Sequence, residues 1–339
     1  MKPTVKDIAK AANVSPATVS NALNNRKGVS DNIKRLVFKV AKDMGYTREV
    51  SVRNTIRFVI YKRHGLVVSD TPFFSSLVEG IGKQCRALGY ELLVSHVNIN
   101  DMDYKETVNS INSDNSSGII LLATEMTEED LELFQTFMGP VVLLDSCFRS
   151  NAHDSVLINN IDAAYKATAF LAENGHSDIG YLCSSYRINN FDFRRKGYLE
   201  AMKHHNFVVE ERYQISLEPT VEGSYKDMKR LLEAVDTVLP TAFFADNDII
   251  ACGAMKALLE KGFKIPEDIS LVGFDDMPLC EMTNPRLTTI KVFKQEMGSI
   301  AVKRLVEKIG GMDDIVQKIE LGTKLIIRDS HKCVGLSML

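Results

Sequence analysis

No apolar run in this 339-residue chain approaches the roughly 20 residues a membrane-spanning helix needs, and no leader pattern opens it. The expectation is a cytoplasmic protein without a membrane partner. Cysteine is sparse: Cys85, Cys147, Cys183, Cys252, Cys280 and Cys333 include no C-x-x-C pair. That spacing argues against a zinc or disulfide framework and for small buried hydrophobes in a reducing compartment. Also missing are a G-x-S-x-G elbow, an H-E-x-x-H pair and a phosphate-cradling glycine loop. Asp246 with Asp248, and Asp275 with Asp276, invite a glycosidase reading. That chemistry needs two carboxyls at a set separation with opposed acidities, which spacing alone does not supply. His204 and His205 read as a solvated pair. An enzyme is not expected, nor a cofactor or a metal.

What is present is unevenly distributed. Residues 1–57 hold twelve Lys and Arg against four Asp and Glu, a charge of +8, so the rest of a −3 chain carries −11. A basic head on an acidic body suits a phosphate-binding module, because neutralised phosphates release counterions. The head opens with "TVKDIAKAANVSPATVSNALN". Thr4 and Asp7 form a capping box ahead of Val5, Ile8, Ala9 and Ala12 at helical spacing. Asn13 accepts a left-handed turn, Ser15 caps a second helix, and Pro16 fits its first position. Val19, Ala22 and Leu23 form that helix's apolar stripe. A third helix, capped by Ser30, directs Ile33, Leu36, Val37, Val40 and Met44 inward and stops at Gly45. Three short helices with a tight first turn predict a helix-turn-helix.

From Arg57 onward short apolar runs alternate with amphipathic ones. The strands read "IRFVIY", "YELLVSHV", "GIILLA", "PVVLLD", "IGYLC", "YQISL", "TAFFA" and "ISLVGF". Helices are expected at 77–88, 104–111, from Thr127, and at 163–173, 194–204, 225–235 and 249–260. This rhythm implies right-handed βαβ units, and its restart midway implies two doubly wound parallel-sheet subdomains with a cleft at the carboxyl ends of their strands.

The head, with the "MGY" that ends at Tyr46, resembles the DNA-binding domain of the lactose-repressor/galactose-repressor family of bacterial transcription regulators. The body resembles that family's periplasmic-binding-protein-like core through "TPFFSSLVEGI", "GYELLVSHVN", "SGIILLA", "ENGHSDIGYL", "FRRKGYLEAM", "PTAFFADNDIIACGAMKAL", "IPEDISLVGFDDMP", "PRLTTIKV" and "LIIRDS". The resemblance covers essentially the full chain. It implies a DNA-binding domain over 1–47, a linker over 48–56 and an effector-binding, dimerising core over 57–339. Within the core it implies an N-subdomain of about 57–160 and 291–321, and a C-subdomain of about 161–290 and 322–339. The implied protein is a homodimeric regulator, a repressor by preference, on a pseudo-palindromic double-stranded operator. A small molecule, by default a carbohydrate, would sit in the cleft. The alternatives are a nucleobase or nucleoside effector, or control by a protein partner.

By the same resemblance, Pro16, Ala17 and Asn21 face bases, while Thr4, Ser15, Thr18, Ser20, Asn24, Lys27 and Tyr46 support DNA contact or steady phosphates. Many relatives carry a hinge helix that wedges a leucine into the minor groove. Here "TREVSVRNT" has no leucine, so that wedge is not expected; Arg48, Arg53 and Arg57 are candidates for phosphate contact. For the effector, the candidates are Phe73, Phe74, Asp145, Asn159, Arg194, Phe244, Asp246 and Asp275. Arg194, taken to open its helix, would clamp polar groups, and Asp275 would accept a hydroxyl or N–H. Asp248 reads as a helix cap. The helix Lys294–Ile309 and the one starting near Phe74 are candidate dimer surfaces.

Overall fold

The computed structural model describes residues 3–23, 28–46, 54–68, 72–149, 153–234, 238–312 and 314–335. The head holds α1 (Val5–Ala11), α2 (Pro16–Leu23) and α3 (Asp31–Asp43). Thr4 and Asp7 make the full capping box, and Asn13 takes φ 53° in the turn. Ser15 Oγ accepts the Thr18 N–H at 3.0 Å, and Tyr46 N–H returns to the Ala41 carbonyl past Gly45 to close α3. Ile8, Ala12, Val19, Ala22, Val37 and Ala41 form the small core. Leu36 and Met44 were expected inside but stay 43% and 36% exposed. Helices of only 7 and 8 residues cover one side of α3 and leave the other uncovered.

Beyond the head come β1 (Thr55–Lys62), α4 (Pro72–Ala87), β2 (Glu91–Asn98), α5 (Tyr104–Ser113), β3 (Gly118–Leu122), β4 (Val141–Leu144) and β5 (Asp154–Ile158). Then follow α6 (Asn160–Glu173), β6 (Ile179–Ser184), α7 (Asn189–His204), β7 (Gln214–Leu217), α8 (Val221–Glu233), β8 (Ala242–Ala245), α9 (Asp248–Glu260), β9 (Ser270–Asp275) and α10 (Leu279–Met282). The chain finishes with β10 (Thr288–Lys291), α11 (Lys294–Ile309), β11 (Lys318–Leu321) and β12 (Lys324–Ile326). The helix expected from Thr127 is a 3₁₀ turn over Glu129–Phe134.

Among the described residues the strands form two six-stranded sheets, ordered β11-β5-β4-β3-β1-β2 and β12-β10-β9-β8-β6-β7. Every pairing is parallel except β10 with β12. The chain leaves the first sheet after β5, returns to it after β10, and crosses again between β11 and β12. Central strands such as β3, β8 and β9 are buried throughout, as strands covered on both faces must be. On the first sheet α4 and α11 approach so closely that a Cβ on Gly80 would lie 2.2 Å from the Gln295 carbonyl oxygen. Among the described residues no helix is long and apolar enough to cross a membrane.

Three helices start a turn earlier than their apolar spacing suggests: α4 at Pro72, α7 at Asn189 and α8 at Val221. Their first turns carry Phe73 and Phe74, Asn190 and Phe191, and Val221 into the gap between the sheets.

Candidate functional site

A cavity of about 240 Å³ lies where those turns meet the carboxyl ends of both sheets. The first sheet's side supplies Gly65, Leu66 and Val67 after β1, Phe73 and Phe74 on α4, Thr124 after β3 and Asp145 after β4. The second side supplies Ile188, Asn190, Phe191 and Arg194, then Pro219 to Val221, Asn247, Ile249, Asp275 and Met277. A larger hollow of about 670 Å³ lies between the head and the first sheet's unit. Its walls include Lys34, Arg35, Glu132 and Lys308, none of them buried, so the smaller cavity holds the more distinctive chemistry.

Arg194 organises the second wall. It is 4% exposed and sits in the second turn of α7, not at its start. Nε donates to Asn160 Oδ1 at 2.9 Å, Nη1 to the Asp246 carbonyl at 2.5 Å, and Nη2 to Asp275 Oδ1 at 3.4 Å. Its guanidinium carbon stands 3.6 Å from the Phe274 ring centroid. The fork expected to clamp a ligand is thus largely committed to the protein, and it aims Asp275 instead. Asp275, at φ 111°, has its carbonyl fixed by Lys294 Nζ. Burial raises its carboxyl above the usual range, opposed by Arg194 and Lys294.

Asp145 leaves β4 in the left-handed region, φ 65°. Thr124 donates to its Oδ2 at 2.7 Å, and Asn190 Nδ2 donates to its carbonyl at 2.8 Å. Burial pushes this carboxyl up to about 6, against the pull of the Thr124 hydroxyl. Two buried carboxylates therefore face one another's side of the cavity amid three phenylalanines, Phe73, Phe74 and Phe191.

Five of the eight effector candidates line the cavity: Phe73, Phe74, Asp145, Arg194 and Asp275. The other three lie elsewhere. Asn159 caps α6, accepting the Asp162 N–H at 3.0 Å and donating to Asp162 Oδ2. Phe244 is an interior residue of β8, tilted against Tyr181 and Phe274. Asp246 is buried behind Arg194, accepting from Tyr181, from Ser184 N at 2.7 Å and from Arg187 at 2.6 Å. Burial raises its carboxyl, with Arg187 opposing. Asp248 begins α9, but the cap is Asn247, whose side chain accepts the Ile250 N–H at 2.9 Å. Asp248 instead pins the loop after β9, accepting from Met277 N at 2.8 Å and Thr289 Oγ1 at 2.5 Å. Burial, then repulsion from Asp275, push it up to about 7. Thr124, Asn160, Asn190 and Phe191 escaped the sequence reading; the spacing of Asn190 to Arg194, one helical turn, was the available signal.

In the head, Ser15, Pro16 and Ala17 are exposed at the start of α2, with Thr18, Ser20 and Asn21 half-buried behind them. Thr4 is occupied by its capping box, Ser15 and Thr18 share a 2.8 Å hydroxyl contact, and Tyr46 packs on the head's core. Asn24, Lys27, Arg48 and Arg53 lie outside the described residues. Arg57 belongs to β1, not a linker, and pairs with Asp114 at 2.6 Å and Ser95 at 2.5 Å.

Residues 4–49 match the description "Bacterial regulatory proteins, lacI family", and residues 168–331 match "Periplasmic binding protein-like domain". The HTH-type transcriptional repressor PurR of Mannheimia succiniciproducens is 31% identical over 337 residues, covering 98% of this chain and 99% of that protein. The lac repressor dimer bound to operator and the anti-inducer ONPF superposes with a TM-score of 0.73 at 22% identity, covering 98% of this chain and 100% of the other. The transcriptional regulator CelR in its cellobiose complex gives 0.73 at 24%, covering 97% and 100%. With a basic helix-turn-helix ahead of two such sheets, and a full-length relative at this identity, the chain belongs to the lacI family of bacterial regulatory proteins.

Proposed function

We propose that this chain is a transcriptional repressor whose operator affinity is set by a nucleobase-sized ligand in the 240 Å³ cavity. The observation that carries the ligand class is the pairing of Asp145 and Asp275 with Phe73, Phe74 and Phe191 around that space. Among the described residues one oxygen of Asp275 takes no hydrogen bond, while Arg194 and the Asn190 carboxamide are engaged. The site therefore asks for a ligand that donates hydrogen bonds and offers flat apolar faces, as a heteroaromatic base with N–H groups does. Drug-sized ligands occupy cavities of about 300–1,000 Å³, so a space below that range favours a single compact ring system. The full-length relative is itself named a repressor.

A carbohydrate is the second reading, favoured by the cellobiose complex of a structural neighbour and by the same two carboxylates as acceptors for hydroxyls. In either case two copies bind two half-sites, with Pro16, Ala17 and Asn21 of each α2 toward the major groove. Ligand closure of the cleft shifts one sheet's unit against the other and so changes the spacing of the heads. A thermal-shift screen of the full chain against nucleobases, nucleosides and sugars tests this. A hundredfold excess over Kd stabilises by about 2.7 kcal/mol. Stabilisation by a sugar and by no base overturns the nucleobase reading.

A further inference from the structure

Glu125 takes no part in the network around Arg194, yet its side chain is fully buried. A carboxylate in that position is tolerable only if its oxygens are well satisfied. The His64 ring faces it, with Nδ1 3.2 Å from Oε1, and the hydrogen-bond donors come from the backbone of the same loop. Oε2 accepts the N–H groups of Arg63, His64 and Gly65 at 2.8, 3.0 and 2.9 Å. Oε1 accepts those of Val67 and Val68 at 3.0 and 2.7 Å. Five amides from six consecutive residues thus converge on one side chain. Gly65 turns at φ 69°, the left-handed conformation such a wrap requires. The loop's start has a second anchor: Arg63 pairs with Asp130 at 2.8 Å, and Asp130 is itself held by Thr127 N–H at 2.8 Å.

Two consequences follow from this shape. Gly65, Leu66 and Val67 become part of the cavity wall that continues into Phe73 and Phe74. His64, on the same loop, lies with its ring centroid 5.1 Å from that of Tyr186, on the segment after β6 of the other sheet. Tyr186 N–H bonds Ser184 Oγ at 3.1 Å, and Ser184 N–H bonds the Asp246 carboxylate behind Arg194. The ring contact therefore joins the loop wrapped on Glu125 to the wall organised by Arg194, across the gap between the two sheets.

We propose that Glu125 is a positioning residue of the ligand site, fixing the 63–68 loop as its wall and, through His64 on Tyr186, holding the two sheets' units together over the ligand. The proposal rests on the cleft being the effector site, so one readout needs no ligand. Hydrogen–deuterium exchange of the full-length, ligand-free chain should show residues 63–68 strongly protected. In Glu125→Gln, whose amide group replaces one acceptor with a donor, that segment is expected to exchange at least tenfold faster, with α9 unchanged. The second readout is the release rate of adenine, guanine, uracil or D-ribose, whichever stabilises the wild type. Glu125→Gln is expected to release it about tenfold faster. Tyr186→Ala, at a 42% exposed residue, is expected to release it severalfold faster with the 63–68 protection intact.

Unchanged exchange at 63–68 in Glu125→Gln overturns the loop's dependence on Glu125. Wild-type release rates in both variants overturn the positioning role, and if Glu125→Gln fails to fold, an unchanged rate in Tyr186→Ala does so alone. A wild type that binds none of the four probes contradicts the effector reading, and the loop then stands or falls on the exchange result.

Discussion

The head and the cleft are held together over very different distances along the chain. In the head, Thr4 with Asp7 and Ser15 with Thr18 are pairs three residues apart. In the cleft, the three bonds of Arg194 reach 34, 52 and 81 residues away, to Asn160, Asp246 and Asp275. The head's interior is a single small apolar cluster, whereas the cleft wall buries Arg194 with Asp246, Asp248 and Asp275. A local cap contributes modestly and fails alone. A buried charge network is interdependent, because removing one member leaves the others unpaired in a poorly solvating interior.

The largest effect that sharpens this contrast is expected from Arg194→Ala. It strands the buried Asp275 carboxylate and should lower the core's unfolding free energy by about 3–5 kcal/mol. Urea denaturation monitored on the core would register it, while the head's helices are untouched. Asp145→Asn comes next. Asn tolerates the left-handed backbone and can still accept from Thr124. Core stability should hold or rise, and ligand affinity should fall by about 1.5–3 kcal/mol, the worth of a hydrogen bond to a charged group, as calorimetric titration would show.

The pH dependence divides the same residue's two roles. Burial pushes the Asp145 carboxyl up to about 6 in the folded chain, above its ordinary value of 3.8. The folded state therefore holds this proton more tightly than the unfolded one. Its contribution to stability is greatest below the unfolded value and declines as pH rises from about 4 through 6. Ligand binding should run the opposite way, since protonation removes the charge that strengthens the acceptor and turns one oxygen into a donor: affinity is expected to weaken as pH drops from 7.5 through 6. Affinity that strengthens on acidification would break the assignment of Asp145 as an acceptor.

The smallest effect is a local one. Ser15→Ala removes the cap on α2 and should cost about 1 kcal/mol of head stability, leaving ligand affinity in the cleft unchanged. A Ser15→Ala change that altered ligand affinity would mean that the two regions are coupled even without DNA.

The same contrast explains what could be read from the residues alone. Caps, turn residues and apolar spacing are signals between near neighbours, so the helix-turn-helix and the alternation of strands and helices were legible. Leu36 and Met44 were misjudged because periodicity tells which residues share a face, not how much of that face two short helices can cover. In the cleft, Phe73, Phe74, Asp145, Arg194 and Asp275 come together at one cavity. Asp246 and Phe244, from the same strand end, fall behind it, since alternate residues leaving a strand point to opposite sides. Asn159 caps its own helix and Asn160 takes the Arg194 bond, a one-residue difference that apolar patterning cannot register. Glu125 had no local signal, because its partners are backbone amides some sixty residues earlier.

One measurement couples the two regions. An operator fragment selected by the protein from a random duplex pool would be titrated by fluorescence anisotropy at fixed salt, with and without the nucleobase that stabilises the core. Saturating ligand is expected to shift the operator Kd at least fivefold, within the usual range of about 1–3 kcal/mol for allosteric coupling, and Asp145→Asn is expected to raise the ligand concentration that gives half of that shift by roughly 10–150-fold. An operator Kd unchanged at saturating ligand would contradict that coupling.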